Sequence, residues 1–173
     1  MTKRDYGKFK RRKQDAYDTP KEAVTPLIPH LPNYPFSYWE PCAGKGALVD
    51  ALPGADFAYM TDIEPRDIRV SKLDALKENG PTDCDLIITK PPWTREILHP
   101  MIERFSSMCP TWLLFDADWM HTKQAKPYLN RCEKIVSVGR VSWMQNGVSG
   151  LDNCAWYLFT NAVGQTPLFY GRT

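Results

Sequence analysis

Two glycines, Gly44 and Gly46, separate a strand-like run from a helix-like run in SYWEPCAGKGALVDAL. Glycine reaches backbone conformations closed to other residues and lets a ligand come close to the chain. A G-x-G turn at the carboxyl end of a strand is therefore a candidate binding loop. Glu40 ends that strand, and Asp62, 18 residues beyond Gly44, ends the next one in YMTDIEP. A carboxylate in that place can accept hydrogen bonds from both hydroxyls of a ribose. Two familiar phosphate loops do not fit. A P-loop needs G-x-x-x-x-G-K-[ST], but Gly46 is followed by Ala47, with no Ser or Thr in place for magnesium. A full dinucleotide fingerprint needs a third glycine where Val49 stands. The spacing of Glu40, Gly44, Gly46 and Asp62 points to nucleoside binding.

Such a loop must be held by a sheet. Short apolar and aromatic runs at 37–42, 57–63, 85–89, 111–116, 134–141 and 155–160 read as strands, and 47–52, 95–108 and 123–132 carry helical spacing. Thr19-Pro20-Lys21-Glu22 predicts a further helix over 19–31, capped by Thr19. Strands alternating with helices predict a single α/β domain over 15–173 with a doubly wound, mostly parallel sheet. Residues 143–153 hold Asn146, Gly147, Gly150 and Asp152 without helical spacing, so the last two strands are expected as an antiparallel hairpin at one edge. Only about 20 residues separate the second strand from the third apolar run. Either the helix after Pro65 is reduced to a turn or the strand near 68–73 is short.

Composition narrows the classes. The chain has 173 residues, 43% hydrophobic and 24% charged, with a net charge of +2. Seven of its 22 Lys and Arg lie in residues 3–13, with Asp5 as their only acid. The remainder carries 15 basic and 19 acidic groups. A flexible basic arm over 1–14, with Tyr6 and Phe9 among the cations, suits phosphate and bases, whereas the body is mildly acidic. No apolar run approaches the roughly 20 residues that span a bilayer, and no apolar stretch follows the charged N-terminus as in a signal peptide, so a cytoplasmic protein without membrane contact is expected. Five cysteines without a C-x-x-C pair and three isolated histidines fit neither a disulfide framework nor a metal site.

Four motifs, in order, resemble the class I S-adenosylmethionine-dependent methyltransferases, and within them the small adenine-N6 DNA enzymes of bacteriophages. DAYDTP (residues 15–20) resembles the element that holds the methionine end of S-adenosylmethionine, EPCAGKG the first motif, TDIEP the ribose-binding one, and DLIITKPPW (85–93) the fourth, [N/D]-P-P-[Y/F/W]. The resemblance implies a Rossmann-like fold and cofactor contacts from Tyr17, Thr19, Pro20, Glu40, Cys42, Gly44, Gly46, Asp62, Ile63 and Asp74. It places the reaction at Lys90, Pro91, Pro92 and Trp93. The segment GRVSWMQNGVSGLDNCAWYLF (139–159) resembles the final hairpin that helps hold the base, which adds Trp143 to Trp93 as a substrate contact.

The fourth motif departs from the family at its first position. An exocyclic amine is a poor nucleophile because its lone pair is delocalised into the base. In the family, an Asn or Asp oxygen and the first proline's carbonyl accept its hydrogens while the aromatic ring stacks on the flipped base. Lys90 offers three donors and no acceptor. Three accounts are open: Lys90 pairs with a carboxylate, acts as a desolvated base beside Trp93, or points away and leaves the Pro91 carbonyl alone. The expected activity is methylation of the adenine amine in nucleic acid, DNA before RNA, bound through residues 3–13. A catalytically impaired cofactor- or nucleic-acid-binding protein is the alternative, and a protein-amide methyltransferase a further one. No metal is expected, and a homodimer is open as an assembly.

Overall fold

The computed structural model describes residues 16–172; the basic arm expected over 1–14 lies outside the described residues. Eight strands form one sheet: β1 (Ser37–Glu40), β2 (Phe57–Asp62), β3 (Ser71–Lys72), β4 (Leu86–Thr89), β5 (Thr111–Asp116), β6 (Cys132–Gly139), β7 (Cys154–Phe159) and β8 (Leu168–Tyr170). Their order is β3-β2-β1-β4-β5-β7-β6-β8. All neighbours run parallel except the two pairs made by β7, which is antiparallel to β5 and to β6. The expected hairpin is thus β6–β7. Beyond it lies β8, a strand that the sequence pattern did not mark, so β8 rather than the hairpin forms the sheet edge.

Both faces of the sheet are buried, which is why β4 and β7 read as unbroken apolar runs rather than alternating ones. One face carries Tyr38, Ile88, Trp112 and Trp156 under α1 (Lys21–Val24) and α2 (Ala47–Ala51). The other carries Trp39, Ile87, Leu113 and Phe115 under α3 (Arg95–Met108), which buries Leu98, Ile102 and Phe105.

Two expected helices come out differently. Instead of one helix over 19–31, α1 has four residues and passes into a 3₁₀ turn over Thr25–His30. Pro26 and Pro29 supply no N–H and crowd the preceding turn, and two of them three residues apart disfavour a continuous α-helix there. Pro20 occupies the N-cap position expected of Thr19. Over 123–132, a 3₁₀ turn (Lys123–Ala125) leads into the four-residue α4 (Lys126–Leu129), and Cys132 already pairs with Phe159 as the start of β6. Strand pairing overrides the helical spacing there. Between β2 and β4 both expected economies occur: no helix forms in that stretch, and β3 has two residues.

Candidate active site

The turn after β1 is shaped by the end of β2. Gly44 and Gly46 take φ of 54° and 80°, left-handed values that a side chain disfavours. Asp62 holds this turn with both carboxylate oxygens: Oδ2 accepts the Gly44 N–H at 2.8 Å and Oδ1 accepts the Glu64 N–H at 2.8 Å. Ala43 N–H donates to the Thr61 carbonyl and Arg66 N–H to that of Gly44, each at 2.9 Å. Each carboxylate oxygen has capacity for a second hydrogen bond.

Above this turn lies a cavity of about 570 Å³, within the range of small-molecule sites. It brings together ten of the residues expected at the site: Tyr17, Thr19, Glu40, Cys42, Gly44 and Asp62 around the glycine turn, then Ile63, Asp74, Lys90 and Pro92. Pro20, Gly46, Pro91, Trp93 and Trp143 do not line it. Trp93 is half-buried between the two core layers, in edge-to-face contact with Trp143 at 5.8 Å. The Lys90 Nζ sits 5.7 Å from the centre of the Trp143 ring, a cation–π arrangement, and Lys90 is only 8% exposed.

Glu40 dominates the electrostatics. It is 2% exposed, and its Oε2 has no hydrogen-bond partner among the described residues. Burial, aided by the negative charge of Asp62 and opposed by Lys90, pushes its carboxyl up to about 8, so at neutral pH it is largely protonated. Burial and then Asp62 push the Cys42 thiol up to about 12, which removes it as a nucleophile. The Asp74 carboxyl lies below its ordinary value. Burial raises it, but hydrogen bonds from the Lys77 ammonium and the Leu76 N–H outweigh that.

Several cavity residues escaped the sequence reading. Arg66 lies across the glycine turn, close enough that a Cβ on Gly44 would come within 2.5 Å of its Nη2. Its guanidinium bonds the Asp18 carboxylate at 2.7 Å, and Lys45 reaches the same carboxylate at 3.5 Å. The pair therefore joins the segment before α1 to the loop after β2 over the cavity. Leu73, Ala75, Ile97 and Met101 supply an apolar wall. The one sequence signal for Arg66 was its place directly after the TDIEP motif. Among the described residues, no group of three or more His, Cys, Asp or Glu could hold a metal ion, and no helix is long and apolar enough to cross a membrane.

No protein-family model and no curated protein matches the chain. Solved structures do. A protein of Pyrococcus horikoshii, provisionally assigned as an RNA methyltransferase, superposes with a TM-score of 0.63 at 12% identity, over 85% of this chain and 87% of that one. A dimethyladenosine transferase from Plasmodium falciparum gives 0.56 at 14%, over 83% and 62%. The methyltransferase subunit of a type I restriction-modification system from Streptococcus thermophilus gives 0.58 at 9%, over 90% and 47%. Sequence identities this low establish the fold: a single-domain, Rossmann-like sheet of the methyltransferase kind.

Proposed function

We propose that the chain binds S-adenosylmethionine in the cavity above the glycine turn and transfers its methyl group to a base of a nucleic acid. The observation that carries this reading is Glu40: a buried carboxyl oxygen without a partner, facing the cavity beside a glycine turn, calls for a cationic donor. The methionine ammonium of the cofactor is such a donor. Asp62, with one free lone-pair site on each oxygen, would take the ribose hydroxyls, and Leu73, Ile97 and Met101 would flank the adenine. Thr19 and Tyr17 would close the methionine end. The bound sulfonium supplies an electrophilic methyl. The chain's own contribution is to hold the acceptor nitrogen at the Lys90–Trp93 edge.

On motif order alone the acceptor would be the adenine amine of DNA, its hydrogen taken by the Pro91 carbonyl, an assignment against which Lys90 weighs; basic residues 3–13 would bind phosphate. Solved neighbours include a dimethyladenosine transferase and a restriction-modification subunit, which fits a nucleic-acid substrate. A second reading, cofactor binding without turnover, is favoured by Lys90, which brings a donor where an acceptor is needed.

Calorimetry with S-adenosylmethionine and its demethylated product, followed by labelled-methyl transfer to DNA, RNA and protein, tests both readings. Binding that Glu40→Ala weakens at least tenfold, with transfer to nucleic acid alone, is expected. Removing residues 1–13 should abolish salt-sensitive nucleic-acid binding but leave cofactor binding intact. Absence of cofactor binding would overturn the proposal, and binding without any transfer would select the second reading.

A further inference from the structure

Lys90 is placed too well to be a neutral replacement. It follows β4 directly, is 8% exposed, lines the same cavity as Glu40 and Asp62, and lies over Trp143. Trp143 in turn abuts Trp93. An acceptor base reaching this edge meets an ammonium with hydrogen atoms only to give. The adenine amine also presents hydrogens, so donor would face donor beside a largely buried lysine, and that mismatch is costly. A base with a keto oxygen beside a ring N–H presents the complementary atom.

We infer that Lys90 directs the site to the lactam nitrogen of a keto base, as found in guanine, uracil or hypoxanthine, in preference to the amine of adenine. The inference rests on the proposed methyl transfer to a base and changes which base is taken. The Lys90 ammonium donates to the keto oxygen. When the ring N–H loses its proton to solvent, the negative charge spreads onto that oxygen and the ammonium stabilises it. The nitrogen lone pair then forms the N–C bond, the methyl–sulfur bond breaks, and the departing thioether keeps its electron pair. Trp143, over whose ring Lys90 lies, and Trp93 against it are the aromatic side chains beside this edge.

Adenine and hypoxanthine differ at this edge alone, by a keto oxygen in place of the amine and a ring N–H in place of the bare ring nitrogen, which makes them the sharpest probes. Single-stranded DNA and RNA oligonucleotides identical except for one central adenine or hypoxanthine are compared in two assays. One is labelled-methyl transfer, and the other is equilibrium binding by anisotropy in the presence of the demethylated cofactor. Wild type is expected to favour hypoxanthine by about tenfold in both, the scale of one matched hydrogen-bonding contact. Lys90→Arg keeps that preference and Lys90→Asn inverts it, with Lys90→Gln in its place should the asparagine variant not fold. A wild-type preference for adenine, or a preference that Lys90→Asn leaves unmoved, overturns the inference while methyl transfer itself stands. Transfer to neither base with no difference in binding, while calorimetry registers the cofactor, overturns the inference together with the transfer. Failure to bind the cofactor at all overturns the underlying reading.

Discussion

Replacing Glu40 by glutamine should stabilise the protein at neutral pH, and the gain should grow with pH in a defined window. In the unfolded chain a glutamate ionises near its ordinary value of 4.5; in the folded protein burial and Asp62 move that step to about 8. Between these values the folded state holds more protons than the unfolded one, so stability falls as pH rises from 4.5 to 8 and stays reduced above it. At pH 7 the folded carboxyl is still mostly protonated. The loss accumulated from 4.5 to 7 is then about 3 kcal/mol, at 1.36 kcal/mol per pH unit. Glutamine has the shape of the protonated acid and no proton to lose, so Glu40→Gln lacks that slope. Urea unfolding of both proteins at pH 5, 6, 7 and 8 measures it. Parallel stability profiles, or a variant that loses ground against wild type as pH rises, would refute the reasoning.

The same group links protons to ligand. A cation docking on Oε2 favours the carboxylate, so cofactor binding at pH 7, where Glu40 is largely protonated, should expel most of one proton from it. Calorimetry in buffers of different ionisation enthalpy reads that number directly. Glu40→Gln should bind more weakly and expel none; equal proton release from both proteins would detach the cation from Glu40.

Two further substitutions test the frame around the site. Gly80 packs so closely on the ring of Trp39, which is fully buried, that an added Cβ would overlap it, so Gly80→Ala should cost about 1–3 kcal/mol in unfolding free energy; an unchanged unfolding midpoint would mean that the loop yields. Asp18→Asn removes the carboxylate that Arg66 and Lys45 share, where side-chain exposures of 18%, 33% and 58% keep the stability change within about 1 kcal/mol. Because that pair crosses the cavity, the cofactor should leave several-fold faster in stopped-flow displacement, and an unaltered off-rate would place the exit elsewhere.

The positions of the central strands and of the glycine turn were legible in the sequence because both rest on short-range signals. Unbroken apolar runs mark strands buried on two faces, and α3 (Arg95–Met108) was readable to the residue because it is long enough for its apolar side to repeat. Elements that depend on distant partners were not legible. Leu168, Phe169 and Tyr170 are all exposed and make a strand only because β6 offers Lys134 to Val136 as a pairing edge. Arg66 is likewise an ordinary surface arginine until the fold places Asp18, 48 residues earlier, within 2.7 Å. Trp93 reads as a stacking platform by its place after two prolines, yet the β6–β7 connection brings Trp143 against it, a contact that no local pattern encodes.

Asp62 shows how a correct local signal can carry two duties. The sequence offers a carboxylate at the end of a strand and a ribose as its partner. The folded chain already uses Oδ2 and Oδ1 to fix the Gly44 and Glu64 amides. Asp62→Asn must turn its NH₂ toward one of these two amides, so one donor faces another and one hydrogen bond is lost whichever way the side chain rotates. The expected cost is about 1–3 kcal/mol of stability in the protein without ligand, because a backbone N–H in the turn is left unsatisfied. A residue that served the ribose alone would give a different result: weaker cofactor binding with an unfolding curve superimposable on that of wild type. Urea unfolding of Asp62→Asn in the absence of cofactor separates the two, and a superimposable curve would show that the glycine turn holds its shape without both hydrogen bonds.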